Sequence, residues 1–163
     1  MFAPDIVEAA TLLLEACRTR GLRLAGAESC TGGLIAAALT AVPGSSDVFE
    51  RGFVPYSNEA KTELLGVPAE LIARVGAVSA EVACAMADGA LAFAPVDVAI
   101  AVTGIAGPGG GSGAKPVGLV HIACARKGAE TRHNECTFGD IGRDAVRDAS
   151  VRAALHLAIE IVA

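Results

Sequence analysis

Apolar residues recur in the first twenty positions at Ile6, Val7, Leu13, Leu14 and Cys17, a stripe along one face of a helix. Pro4 suits a first helical position and Gly21 a C-terminal stop, so the pattern predicts a helix over residues 4–20. Residues 22–27 are a short strand-like run, and TGGLIAAALTAV after them predicts a helix that begins at Thr31 or Gly32 and ends at Pro43. VPGSSDVFERG predicts a turn and a short helix, with Asp47 and Glu50 spaced like a capping box. A strand is expected over 52–56. Ser57 then caps a helix closed by Gly66, Pro68 opens a shorter one, and Ser79 with Glu81 begins a longer one through Phe93. VDVAIAVTG, residues 96–104, is apolar nearly throughout, as expected of a central strand covered on both faces. A long Gly/Pro loop follows. Two strands, 117–125 and 130–138, flank a turn at Lys127 and Gly128, and a helix over 140–162 closes the chain.

This alternation of helices and strands predicts an α/β protein with helices on both faces of a central sheet. With no internal repeat and no linker, the 163 residues read as one domain, 1–163. Apolar residues make up 53% and charged residues 19%, which argues against long disordered tails. The longest apolar runs fall far short of the roughly 20 residues a membrane helix needs. The first helix is acidic and amphipathic rather than basic and then apolar, so a cytoplasmic protein without a signal peptide or membrane partner is expected. Cys17, Cys30, Cys84, Cys124 and Cys136 are scattered without CxxC spacing, which points to buried reduced thiols and to neither a disulfide framework nor a metal site. The net charge of −5 argues against a nucleic-acid partner. A small phosphorylated ligand, which needs only one or two local cations, stays open.

The Gly-rich loop formally matches GxGxxA at Gly109, Gly111 and Ala114, but Lys115, Pro116 and a strand follow where a dinucleotide fingerprint needs a helix. Lys115 is likewise in the wrong context for a P-loop. Two readings remain for the loop: a hairpin connection, or a wall over a ligand with free backbone N–H groups. Ser29 at a strand end and Ser45 and Ser46 before a helix suit turns and caps; a neighbouring base would make one of them a nucleophile. Lys61 follows Tyr56 on the first turns of a helix and is either a solvated charge or such a base. Arg143 begins the closing helix, where the dipole favours anions, so either Asp140 or Asp144 balances it or a bound phosphate does. Glu28 either orients a nucleophile or bonds the loop backbone. His121, His133 and His156 have no partner at metal-ligand or triad spacing and read as structural.

AESCTGG at 27–33, VPGSS at 42–46, YSNEAK at 56–61, GAVS at 76–79, TGIAGPGGG at 103–111 and KPVG at 115–118 follow one another in order. Together they resemble the C-terminal domain family of the competence/damage-inducible protein CinA, over residues 5–162. The resemblance implies a three-layer α/β/α sandwich with a mixed central sheet. It implies a stand-alone nicotinamide mononucleotide amidohydrolase, converting nicotinamide mononucleotide to nicotinate mononucleotide and ammonia in pyridine nucleotide recycling, without cofactor or metal. It carries over to Ser46 as nucleophile, Lys61 as its base and Tyr56 as a hydroxyl that relays the proton or holds the amine. Thr103, Gly104 and Arg143 fall at substrate-binding positions. Ser29, Cys30, Thr31 and Gly32 become the pocket floor, with Ser29 the reserve nucleophile. The rival readings are a noncatalytic nucleotide-binding or regulatory module and an amidase for another ribonucleotide. The many small and apolar residues leave room for a homo-oligomer.

Overall fold

A computed structural model describes residues 2–163. Helix α1 (Pro4–Thr19) buries Ile6, Ala9, Ala10, Leu13, Leu14 and Cys17, the expected stripe. The chain continues through β1 (Leu24–Glu28), α2 (Leu34–Thr40), a 3₁₀ turn (Ser45–Asp47), β2 (Phe49–Phe53), α3 (Asn58–Leu65), α4 (Ala69–Val75) and α5 (Ala80–Phe93). It ends with β3 (Val98–Gly104), β4 (Leu119–Arg126), β5 (Arg132–Thr137) and α6 (Arg143–Val162).

The strands lie in the order β2-β1-β3-β4-β5. β1 runs parallel to β2 and β3, whereas β4 runs antiparallel to β3 and β5, so the sheet is mixed. Alternation along each strand sorts its side chains between the two faces. Leu24, Ile100, Val102 and Ile122 pack beneath α1, α2 and α6, and Ala27, Ala99, Ala101 and Ala123 pack beneath α3, α4 and α5. The result is a three-layer α/β/α sandwich. β3 at its centre is buried along all but its last residue, as its unbroken apolar run predicts.

From β1 the chain crosses through α2 to β2 on one side, and from β2 through α3, α4 and α5 to β3 on the other. The strand order therefore reverses between β1 and β3. In open α/β sheets the crevice beyond the C-terminal ends of such a strand pair is where ligands bind.

Two local expectations are corrected. The strand expected over 52–56 is β2, Phe49–Phe53: Phe49 takes up the pairing with Leu24, and Pro55, lacking an N–H, cannot extend the ladder. The Asp47/Glu50 capping box does not form. Asp47 instead pairs with Arg18 at 2.6 Å, and Glu50 lies in β2 beside Arg51.

Candidate active site

At the end of β1 the chain turns sharply through Ser29, Cys30 and Thr31 into Gly32 and Gly33, whose φ angles of 58° and 100° are left-handed and favour glycine. Glu28, 1% exposed, sets the turn. Its Oε2 accepts the N–H groups of Gly33 (3.1 Å) and Ile35 (3.0 Å), and its Oε1 accepts that of Ala36 (2.8 Å). A carboxylate thus replaces the missing N-cap side chain of α2 and complements the positive end of its dipole. Of the two roles open to Glu28, it takes the one that bonds the loop backbone.

Lys61 is the largest fully buried side chain of the protein, 1% exposed on α3. Its Nζ lies 3.2 Å from Ser29 Oγ, 3.0 Å from the Pro55 carbonyl and 3.5 Å from that of Ser57. Among the described residues no carboxylate pairs with it. Burial therefore holds its pKa below the ordinary 10.5, opposed only by nearby Cys30. A neutral amine has two N–H donors and one lone pair. Once the amine is neutral, the two carbonyls keep its donors, and the contact to Ser29 Oγ can turn to the lone pair. Lys61 is not a solvated helix charge: it is buried against the Ser29 hydroxyl.

The Ser46–Lys61 pairing is corrected. Leu24 of β1 stands opposite Phe49 of β2. Ser46 precedes Phe49, at the N-terminal end of the strand pair, whereas Ser29 lies beyond its C-terminal end. At about 3.3 Å per residue the two serines are roughly 16 Å apart along the strands. Ser46 is exposed in the 3₁₀ turn and makes no hydrogen bond to Lys61 or Tyr56. Its neighbours Gly44 and Asp47 are held by Arg18, at the far end of α1.

Tyr56, 59% exposed, does not reach the amine. Its hydroxyl accepts from Arg143 Nη2 at 3.0 Å, and Arg143 Nη1 donates to the Gly107 carbonyl at 2.8 Å. Arg143 thus stands over the crevice without an ion pair to Asp140 or Asp144. Thr103 comes level with Ser29, since Glu28 pairs with Val102, and its buried hydroxyl donates to the Ala77 carbonyl at 2.9 Å. At Gly104 a Cβ would lie 2.7 Å from Val120 and 2.9 Å from the Leu119 carbonyl, so the backbone there passes too close for any side chain. Cys30 is no nucleophile in waiting: burial pushes its thiol up to about 11. Thr31 Oγ1 is buried with no partner.

The Gly-rich loop is pinned rather than free. Arg143 holds it at Gly107, and Lys115 Nζ reaches the Val75 carbonyl at 2.6 Å. Beside it, across Thr103 from Ser29, opens a cavity of about 560 Å³ lined among others by Ser79, Lys115, His121 and Glu135. His121 and His133, unpaired in sequence, meet here: their rings stack at 5.1 Å and share a 2.9 Å hydrogen bond. Burial and His133 lower the His121 pKa. Sequence reasoning also missed Arg147, whose Nε and Nη2 donate to the carbonyls of Cys30 (3.2 Å) and Thr31 (3.0 Å). Its spacing one turn after Arg143, on one face of α6, is the signal that could have found it. No group of His, Cys, Asp and Glu among the described residues is arranged to hold a metal, and no described helix is long and apolar enough to cross a membrane.

A buried Ser–Lys pair at the switch point of a mixed α/β/α sandwich defines the class, and comparison with known proteins supplies the family. The chain belongs to the CinA C-terminal domain family, whose model matches residues 7–162. It is 52% identical over 157 residues to a CinA-like protein of Synechococcus sp. (strain RCC307), covering 96% of this chain and 37% of that one. The chain thus spans about a third of the length of the curated relatives it matches. The crystal structure of competence/damage inducible protein CihA from Agrobacterium tumefaciens superposes with a TM-score of 0.97 at 50% identity, covering 99% of this chain and 98% of that one. A CinA superfamily protein from Enterobacter cloacae gives 0.91 at 32% identity, with coverage of 100% and 94%.

Proposed function

We propose that the protein is an amidohydrolase acting on nicotinamide mononucleotide, with Ser29 as nucleophile and Lys61 as its base. One observation carries this reading: a buried amine without a carboxylate partner, 3.2 Å from a serine hydroxyl at the C-terminal end of β1. Buried lysines usually pair with acids, and among the described residues this one does not. The choice of substrate rests on the family resemblance.

Neutral Lys61 takes the Ser29 proton, and the alkoxide attacks the carboxamide carbon. The tetrahedral adduct collapses, and the leaving nitrogen takes the proton from Lys61 and departs as ammonia. Water then adds to the acyl-serine, giving one proton to Lys61; collapse frees the carboxylic acid, which loses its proton to solvent, and Lys61 returns the first proton to Ser29. Arg143, exposed over the crevice and unpaired with an acid, is the phosphate ligand in this scheme.

The test is ammonia release from nicotinamide mononucleotide, with the riboside lacking the phosphate as comparison. The nucleotide is expected to be turned over, and Arg143→Ala to raise its KM roughly tenfold while leaving that of the riboside unchanged. A folded chain that binds the nucleotide but releases no ammonia is a binding module instead. Equal losses for both substrates would remove the phosphate role from Arg143.

A further inference from the structure

The turn that carries Ser29 holds more free donors than a buried turn normally keeps. Ser29 N–H donates to Val102, Gly32 N–H to Ser29, Leu34 N–H to Thr31 and Gly33 N–H to Glu28. Among the described residues the N–H groups of Cys30 and Thr31 have no such acceptor, the Cys30 N–H lying only against its own thiol, although these residues are 6% and 0% exposed. Orphaned N–H groups in buried backbone are rare, and they call for a reason. The neighbouring Thr31 hydroxyl is unpartnered as well.

Arg147 accounts for the direction of the Thr31 N–H, and the Gly32 N–H to Ser29 carbonyl bond sets the peptide that carries the Cys30 N–H. Its guanidinium reaches the turn from α6, on one face of the sheet, and takes the carbonyls of Cys30 and Thr31. A trans peptide sets its N–H opposite its C=O. Drawing the Cys30 carbonyl toward α6 therefore points the Thr31 N–H away from α6, toward the face where α3 places Lys61 against the Ser29 hydroxyl. The Cys30 N–H belongs to the residue after Ser29, the position that supplies an oxyanion donor in nucleophile-elbow hydrolases.

The geometry points to the N–H groups of Cys30 and Thr31 as the oxyanion site of this chain, with Arg147 as the residue that positions the turn through the Cys30–Thr31 peptide. The inference rests on attack by Ser29. Arg147 touches no reacting atom; it acts by holding two carbonyls, and its charge also steadies the partial negative charge on them. As the adduct forms, its oxygen takes up the two N–H groups, which give up no hydrogen bond to another described residue. That is the condition under which such donors lower the barrier rather than merely bind substrate.

Ammonia release from nicotinamide mononucleotide is measured for the wild type, Arg147→Ala and Arg147→Lys, with thermal unfolding as a check on folding. Inhibition by pyridine-3-carbaldehyde is measured alongside. Its addition to Ser29 places an oxygen in the oxyanion site, with the serine proton passing to the adduct through Lys61. Arg147→Ala is expected to lower kcat roughly 100-fold with KM nearly unchanged, and to weaken the aldehyde by a similar factor. Arg147→Lys, which can hold one carbonyl but not both, falls between, and added guanidinium restores part of the loss in Arg147→Ala. If Arg147→Ala fails to fold, Arg147→Lys decides by the same criterion. Unchanged kcat in the folded variants, or a loss in kcat without weaker aldehyde binding, overturns the inference and leaves the amidohydrolase reading standing. A wild type that releases no ammonia takes both.

Discussion

The two ends of the β1–β2 strand pair each carry a serine close to charged groups, yet only one serine contacts a buried amine. At the C-terminal end Ser29 is nearly buried, faces an amine of lowered pKa and is followed by free backbone donors. At the N-terminal end Ser46 is exposed in a 3₁₀ turn, and the charges beside it, Arg18 and Asp47, satisfy each other at 2.6 Å. Polarity and nearby charge are common to both ends. What differs is desolvation: an ion pair in water has no reason to shift a proton, whereas a lone buried amine does.

The largest expected break in this comparison comes from the serines themselves. Ser29→Ala is expected to lower ammonia release by at least about 1,000-fold, and Ser46→Ala to leave it unchanged, both read from initial rates on nicotinamide mononucleotide. The reverse result would restore Ser46 and imply that its base comes from elsewhere, such as a neighbouring subunit.

Next in size is Lys61→Met, expected to lower kcat about 100-fold or more. In the wild type the rate rises with pH as Lys61 loses its proton, with an inflection below the 10.5 of an ordinary lysine. The unfolded chain binds more protons than the native one between that inflection and 10.5, so stability also rises with pH across this window. Methionine removes both slopes. A rate profile that keeps its basic limb in Lys61→Met would assign the base to another group. Smallest is Asp47→Asn, which unpairs Arg18 in solvent; neither turnover nor the unfolding midpoint should move measurably.

Much of the fold was legible in the chain. Helices capped by Ser57 and Ser79, with side chains that accept from Ala60 and Val82, begin where their sequences say they should. The unbroken apolar run of β3 announced a central strand. β2 was harder to read, because this edge strand, with no alternation in its exposure and a charged Glu50–Arg51 pair, carries little periodic signal. Of the residues singled out in sequence, Ser29, Lys61, Tyr56, Thr103 and Arg143 lie at the C-terminal end of β1 and β3 or reach over it, whereas Ser46 does not. Their pairing was not legible. Arg147 and the His121–His133 contact depend on which strand face and which helix face meet, over separations that no local pattern reports.

Taken alone, the amino-acid order determined most of the elements, the layering they form and most of the candidate site residues, because caps, periodicity and glycine turns act over a few neighbouring positions. Only tertiary structure decided which hydroxyl the amine meets, that the amine is buried, and that Arg147 reaches the turn after Ser29. Strand direction puts Ser29 and Ser46 at opposite ends of the sheet, and desolvation of an amine is a property of everything packed around it rather than of the residues beside it in the chain.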